Sequence, residues 1–217
     1  MPFISSVNVA CGGHAGSMDL MLRCVDLALG NNVRIGAHPG FEDRTNFGRE
    51  NLDIPLNELR RIIFKQIDLL KVICESKNAT LSYIKAHGAL YHLVCNELDY
   101  AIMILDLIKS YFPGVLIMGM PNSLLESHAE LKEVSFIKEG FADRAYEKNG
   151  QLRDRKIEGA VLGEYNEILN QVINLADNKL TGFKIDSICF HGDHKGSADL
   201  IQRINADLKK KGFEVGV

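Results

Sequence analysis

Short apolar runs alternate along the chain with longer stretches whose apolar residues recur at helical spacing. Runs at residues 6–11, 33–37, 81–86, 115–119, 134–138, 187–191 and 213–217 predict seven strands. Most are continuously apolar rather than alternating, which is the pattern of strands buried on both faces of a parallel sheet. Between them, residues 18–29 put Asp19, Arg23 and Asp26 on one face of a helix and apolar side chains elsewhere. Residues 57–77 carry an apolar stripe through Leu59, Ile62, Ile63, Ile67, Leu70, Ile73 and Cys74. Helices are also predicted over 98–111, stopped by Pro113-Gly114, and over 164–176. The last starts from Ser197 as N-cap and runs to Gly212. Strand alternating with helix, and no linker or repeat between, predicts one α/β domain over 1–217 with a parallel sheet.

Composition changes this picture little. Apolar residues make up 46% of the 217 and charged ones 24%, enough for an ordinary core. A net charge of −3 argues against a polyanionic partner. The one basic run, Lys209-Lys210-Lys211, falls where a helix C-terminus favours cations. Five widely spaced cysteines without a CxxC pair suggest reduced thiols rather than a disulfide or zinc framework. No stretch approaches the ~20 apolar residues of a membrane span, and the N-terminus lacks signal-peptide character, so a cytoplasmic protein is expected.

The candidate chemistry lies just after the predicted strands. Gly-rich turns there carry Asn8 through His14, then His38 with Arg49, Lys85 with His87, Asp143 with Arg144, and His191 with Asp193. Strand C-termini of a parallel α/β sheet point to one end, where active sites form. His14, His38, His87 and His191 are therefore expected to gather in one mouth, with Asp143 beside them, as the catalytic set. Imidazoles shuttle protons or ligate metals near neutral pH, and carboxylates orient them or activate water. Asn8, Lys85, Arg49, Arg144 and Asp193 are the candidates for holding an anionic substrate. His14 and His38 are candidate ligands of a divalent metal, although no HxxxH or HExxH spacing supports one. Cys11 reads as a packed thiol, and His128 and His194 as surface residues. No GxxxxGK[ST], GxGxxG or GxSxG motif occurs, which disfavours a Walker-type ATP cradle, a Rossmann dehydrogenase and an α/β-hydrolase.

The blocks NVACGGHAG, GAHPGFEDRTNFGR, KAHGALY, EGFADRAY with QLRDR after it, and CFHGD resemble, in order, the signature blocks of the LamB/YcsF family, the group of the 5-oxoprolinase A component. The resemblance spans Asn8 to Asp193. It implies a parallel β/α barrel of the glycoside hydrolase/deacetylase type and ATP-dependent opening of 5-oxoproline to L-glutamate, with 5-oxoprolinase subunits B and C as partners. The family pattern has an Asp-x-Asn-x-Asp-x-Gly-Glu strand ahead of the first block, so the resemblance also implies a barrel incomplete at its N-terminus. Ser17, Ala86 and Glu50 stand where the family has Asp, Pro and Arg, and leave the main polar groups in place. Two other readings remain open: a stand-alone metal-dependent deacetylase acting on an N-acetylated carbohydrate, and a non-catalytic component that delivers substrate.

Overall fold

The computed structural model describes residues 1–147, 150–180, 184–193 and 196–216. The chain forms two compact units, residues 1–137 and 138–216. The first holds β1 (Ser6–Ala10), α1 (Met18–Leu29), β2 (Arg34–His38), α2 (Leu56–Ser76), β3 (Leu81–Ile84), α3 (Gly88–Asn96), α4 (Leu98–Tyr111), β4 (Leu116–Gly119) and α5 (Leu124–Leu131). Strand β5 (Phe136–Phe141) begins in it and continues into the second unit, which adds α6 (Tyr165–Ala176), β6 (Ser187–Cys189) and α7 (Ser197–Lys210). Among the described residues no helix is long and apolar enough to cross a membrane, and no disulfide forms.

In the first unit β1, β2, β3 and β4 pair in parallel, in sequence order. In the second, β5 pairs in parallel with β6. This is the parallel α/β fold expected, with six strands among the described residues rather than seven. The seventh strand, expected over 213–217, does not form over 213–216, and residue 217 lies outside the described residues. Helix α7 ends at Lys210, and its C-terminal turn draws the Phe213 amide back onto the Leu208 carbonyl. The sequence pattern also did not single out α3 or α5, each under three turns long. Ser197 is the first residue of α7, not its cap; that position is Gly196, at φ 84°.

Helix α2 shows why the apolar spacing works. Leu59, Ile63, Ile67, Leu70, Ile73 and Cys74 form one buried stripe, and the helix lies against β2, β3, α1 and α4. Burying each such Leu or Ile contributes roughly 1.5–3 kcal/mol. The second unit has a smaller core of Ala142, Ile168, Leu169, Val172 and Ile204.

Five helices turn back in one way. After α1, α2, α5, α6 and α7, residues Asn32, Asn78, Glu133, Asn178 and Gly212 adopt φ of 54°, 55°, 57°, 59° and 85°. The next amide in each case returns to a carbonyl five residues earlier, as Val33 does to Ala28 and Val134 to Ala129. These are Schellman turns, and Gly or Asn is the residue that enters the left-handed region most readily. Glu133 is the exception. Its exposed carboxylate, 3.7 Å from Lys109, adds little. Replacing it, Glu133→Gly, is expected to stabilise the protein by about 0.5–1 kcal/mol in denaturant unfolding, because relief of left-handed strain exceeds the extra backbone entropy lost.

Candidate functional site

In the first unit the parallel ladder does not stop where the strands do. The Lys85 amide donates to the Ala37 carbonyl and the His87 amide to the Pro39 carbonyl. This carries His38, at the end of β2, alongside the Lys85–His87 turn after β3. His14 comes from the loop after β1. Its ring lies parallel to that of His87, centroids 3.6 Å apart, and edge-on to His38 at 5.6 Å. His14, His38 and His87, three of the four histidines expected to gather, therefore come together, each supplying a ring nitrogen within 4.8 Å of the other two.

Glycines make this approach possible. A Cβ on Gly40 would stand 2.8 Å from His14 Nδ1, and one on Gly48 2.8 Å from the His14 Cβ. At Gly36 a Cβ would strike the Tyr83 ring at 2.2 Å; without it Tyr83 passes under β2 and donates its hydroxyl to Asn8 Oδ1 at 2.8 Å. Asn8, in the middle of β1, thus ties the first strand to the third. Two residues that sequence reasoning missed fix the loops. Gln66 on α2 accepts from the Gly40 amide at 3.0 Å and donates to its carbonyl at 2.8 Å, imitating a peptide. Arg44 donates to the Gly12 and Gly16 carbonyls, tying the second loop to the first.

The hydrogen bonds settle the protonation of two rings. His38 Nδ1 lies 2.7 Å from the Lys85 carbonyl, and His87 Nε2 lies 2.8 Å from the Phe47 carbonyl. A carbonyl only accepts, so both nitrogens carry protons. Phe47 reaches this position at φ 56°, an unusual conformation for a bulky residue, and its ring also meets His14 and His87 edge-on. His14 is 3% exposed. Burial, with His87, Arg44 and Arg49 nearby, pushes its pKa down to about 3. Burial, with His87, Lys85 and His14, holds His38 well below its ordinary value. Lys85 is buried too, with its ammonium 5.6 Å above the Tyr91 ring, whereas Arg49 is exposed and stacks on Phe47 at 5.1 Å. Cys11 is the packed thiol expected, donating to the Val9 carbonyl and raised to about 12 by burial, which makes it inert.

The second unit holds a carboxylate–imidazole pair. His191 Nδ1 lies 2.8 and 2.9 Å from the two Asp143 oxygens, and its amide donates to Oδ2 at 3.2 Å. Burial would raise the Asp143 pKa, but the contacts from His191 outweigh it and hold the carboxyl below its usual range. With Nδ1–H aimed at the carboxylate, Nε2 faces Arg155, whose Nη2 is 3.4 Å away. Arg155 was not singled out from the sequence. Arg144 was, and its buried guanidinium donates to the backbone carbonyls of Ala160 and Arg153, bracing the chain at those two points. Gln171 on α6 donates to the carbonyls of Phe141, Ala142 and Arg144, fixing the turn that carries Asp143. Asp193 is exposed in the turn after His191; His128 bonds the Leu124 carbonyl of its own helix, and His194 lies outside the described residues.

Two outcomes follow. Gln66→Leu leaves the Gly40 amide and carbonyl buried without partners and is expected to cost about 2–3 kcal/mol in denaturant unfolding. Unfolded His14 takes up a proton near 6.5, whereas folded His14 resists it down to about 3. Between those values the unfolded chain binds more protons. The stability linked to His14 is complete above pH 6.5 and is lost as pH falls toward 3. Unfolding free energies of chelator-treated protein, measured from about pH 7 to 4, should fall with pH, and His14→Phe should make that slope shallower.

The sequence matches the LamB/YcsF family over residues 1–217. It is 36% identical over 223 residues to a protein of Histophilus somni (strain 129Pt) named as the A subunit of 5-oxoprolinase, covering 99% of this chain and 90% of that one. A protein of the same name from Staphylococcus carnosus (strain TM300) is also 36% identical, with 99% and 88% covered. The crystal structure of the lactam utilization protein from Thermus thermophilus superimposes with a TM-score of 0.90 at 29% identity, covering 99% of this chain and 89% of that one. The chain belongs to the LamB/YcsF family.

Proposed function

We propose that this chain is the A component of an ATP-dependent 5-oxoprolinase, built on a parallel β/α barrel of the glycoside hydrolase/deacetylase type and working in the cytoplasm with subunits B and C. The observation that carries the reading is the set of ionisable side chains held at the strand ends, in a chain whose relatives at about this similarity bear that name. A five-membered lactam is an unactivated amide, so opening it needs help at the carbonyl oxygen and at the departing nitrogen. ATP, used by the complex, would convert the amide oxygen into a better leaving group. This chain would supply proton transfer and substrate binding. His191, with Nδ1–H directed at Asp143, presents Nε2 as the base that takes a proton from water. In the second unit Arg155 is a cation suited to the substrate carboxylate or the developing oxyanion, and in the first unit Lys85 has the same chemistry. His14, His38 and His87 form the second group with catalytic character.

The test is glutamate formation from 5-oxoproline by the chain assembled with subunits B and C and ATP. Turnover is expected only with all components. His87→Ala and His191→Gln should each lower it by about 100-fold or more while far-UV circular dichroism stays unchanged. A folded, assembled complex that releases no glutamate would overturn the proposal. The three-histidine cluster also suits the second reading, a metal-dependent deacetylase. Acetate released from an N-acetylated carbohydrate by the chain alone, without ATP or partners, would replace the first reading with that one.

A further inference from the structure

The facing nitrogens of His38 and His87 pose a physical problem. His38 Nδ1–H is directed at the Lys85 carbonyl and His87 Nε2–H at the Phe47 carbonyl. If both rings are neutral, the two remaining nitrogens, His38 Nε2 and His87 Nδ1, each present a lone pair. They lie 3.0 Å apart. Two lone pairs at that distance repel, so the arrangement needs a positive centre shared between them. A second observation points to the same place. His14, stacked on His87, is buried, and its Nδ1 has no hydrogen-bond partner. An unsatisfied buried polar atom is costly and rarely retained without a use.

A proton on one ring would satisfy His38 and His87 alone. It would leave His14 unsatisfied and would add charge beside Arg44, Arg49 and Lys85, the cations that already act on His14 and His38. A metal ion draws on a lone pair from all three rings. Imidazoles that ligate a metal characteristically donate their other N–H to a backbone carbonyl or carboxylate, which fixes ring and tautomer. His38 and His87 already do so. Zinc–nitrogen bonds of 2.0–2.1 Å place two ligands of a tetrahedral ion about 3.3 Å apart, close to the separation of the facing nitrogens.

We propose that His14, His38 and His87 form a three-imidazole site for one divalent transition-metal ion, with zinc the best chemical match. Three nitrogen ligands suit zinc, copper, nickel or iron, and disfavour magnesium and calcium, which prefer oxygen. Zinc held by three protein ligands keeps a further position for an oxygen donor such as water or a carbonyl. The inference stands on the ring geometry and does not depend on lactam opening.

The full-length chain, stripped with a chelator and dialysed, is titrated with Zn²⁺ in a calorimeter and with Co²⁺ by visible absorption. One ion per chain is expected, with the intense d–d bands of low-coordinate Co²⁺ and a higher melting temperature on loading. His38→Gln and His87→Gln should each weaken binding by at least about 100-fold. His128→Gln, on α5, should bind as the parent does. Co²⁺ bands on the unsubstituted chain report the site even where a variant fails to fold. Absence of stoichiometric binding, or binding unchanged in both variants, would overturn the proposal. So would ¹⁵N resonances showing an imidazolium at neutral pH that persists when Zn²⁺ is added. Metal binding without glutamate formation in the assembled complex would sink the functional reading and leave the site standing. Full glutamate formation by chelated, metal-free complex would leave that reading standing and remove any catalytic use of the ion.

Discussion

The carbonyl oxygens of Phe47 and Lys85 carry no proton, so the imidazole nitrogens bonded to them must. That requirement orients two rings, selects their tautomers and turns their other nitrogens toward each other. It depends in turn on the ladder that continues past β2 and β3, because the Lys85 and His87 amides bond to the Ala37 and Pro39 carbonyls. Phe47 accepts an unusual φ to bring its carbonyl to His87. Backbone carbonyls, rather than a carboxylate, therefore select the tautomers of His38 and His87. In the second unit the opposite device is used: a carboxylate, Asp143, holds His191.

The loops that bear these residues are held by glutamines reaching out of helices. Gln66 imitates a peptide against Gly40, and Gln171 gathers three carbonyls around the Asp143 turn. Loops lack a ladder of their own, so their buried amides and carbonyls need partners from elsewhere. An amide side chain carries both donors and an acceptor and remains neutral, so it satisfies such a loop without adding charge beside the ionisable groups. Arg144 does the same work for the Arg153 and Ala160 carbonyls through its guanidinium.

Much of this was legible in the sequence, for identifiable reasons. Helices α1 and α4 begin and end where their periodicity and stop signals place them, since long amphipathic stripes have one face to bury. Short elements gave weaker signals. Ser123 and Glu126 bracket the start of α5 in the pattern of a capping box, and Ser123 does accept from the Glu126 amide, but the helix is only eight residues long. The two glutamines also left a trace: Gln66 and Gln171 each stand three residues after a buried isoleucine, inside an apolar stripe rather than opposite it. A polar residue there has a buried partner, though the pattern does not name it.

By itself the sequence determined the parallel α/β class, the positions of most elements and the identity of the residues at the strand ends, because each follows from local periodicity and turn chemistry. It did not determine that His14 would stack on His87, that Arg144 would turn toward backbone carbonyls, that Arg155 would face His191, or that residues 213–216 would stay out of a sheet. Those outcomes depend on approaches between residues that local periodicity does not set. Only the folded ladder, the glycines that admit close approach and the carbonyls within hydrogen-bonding reach fix such approaches.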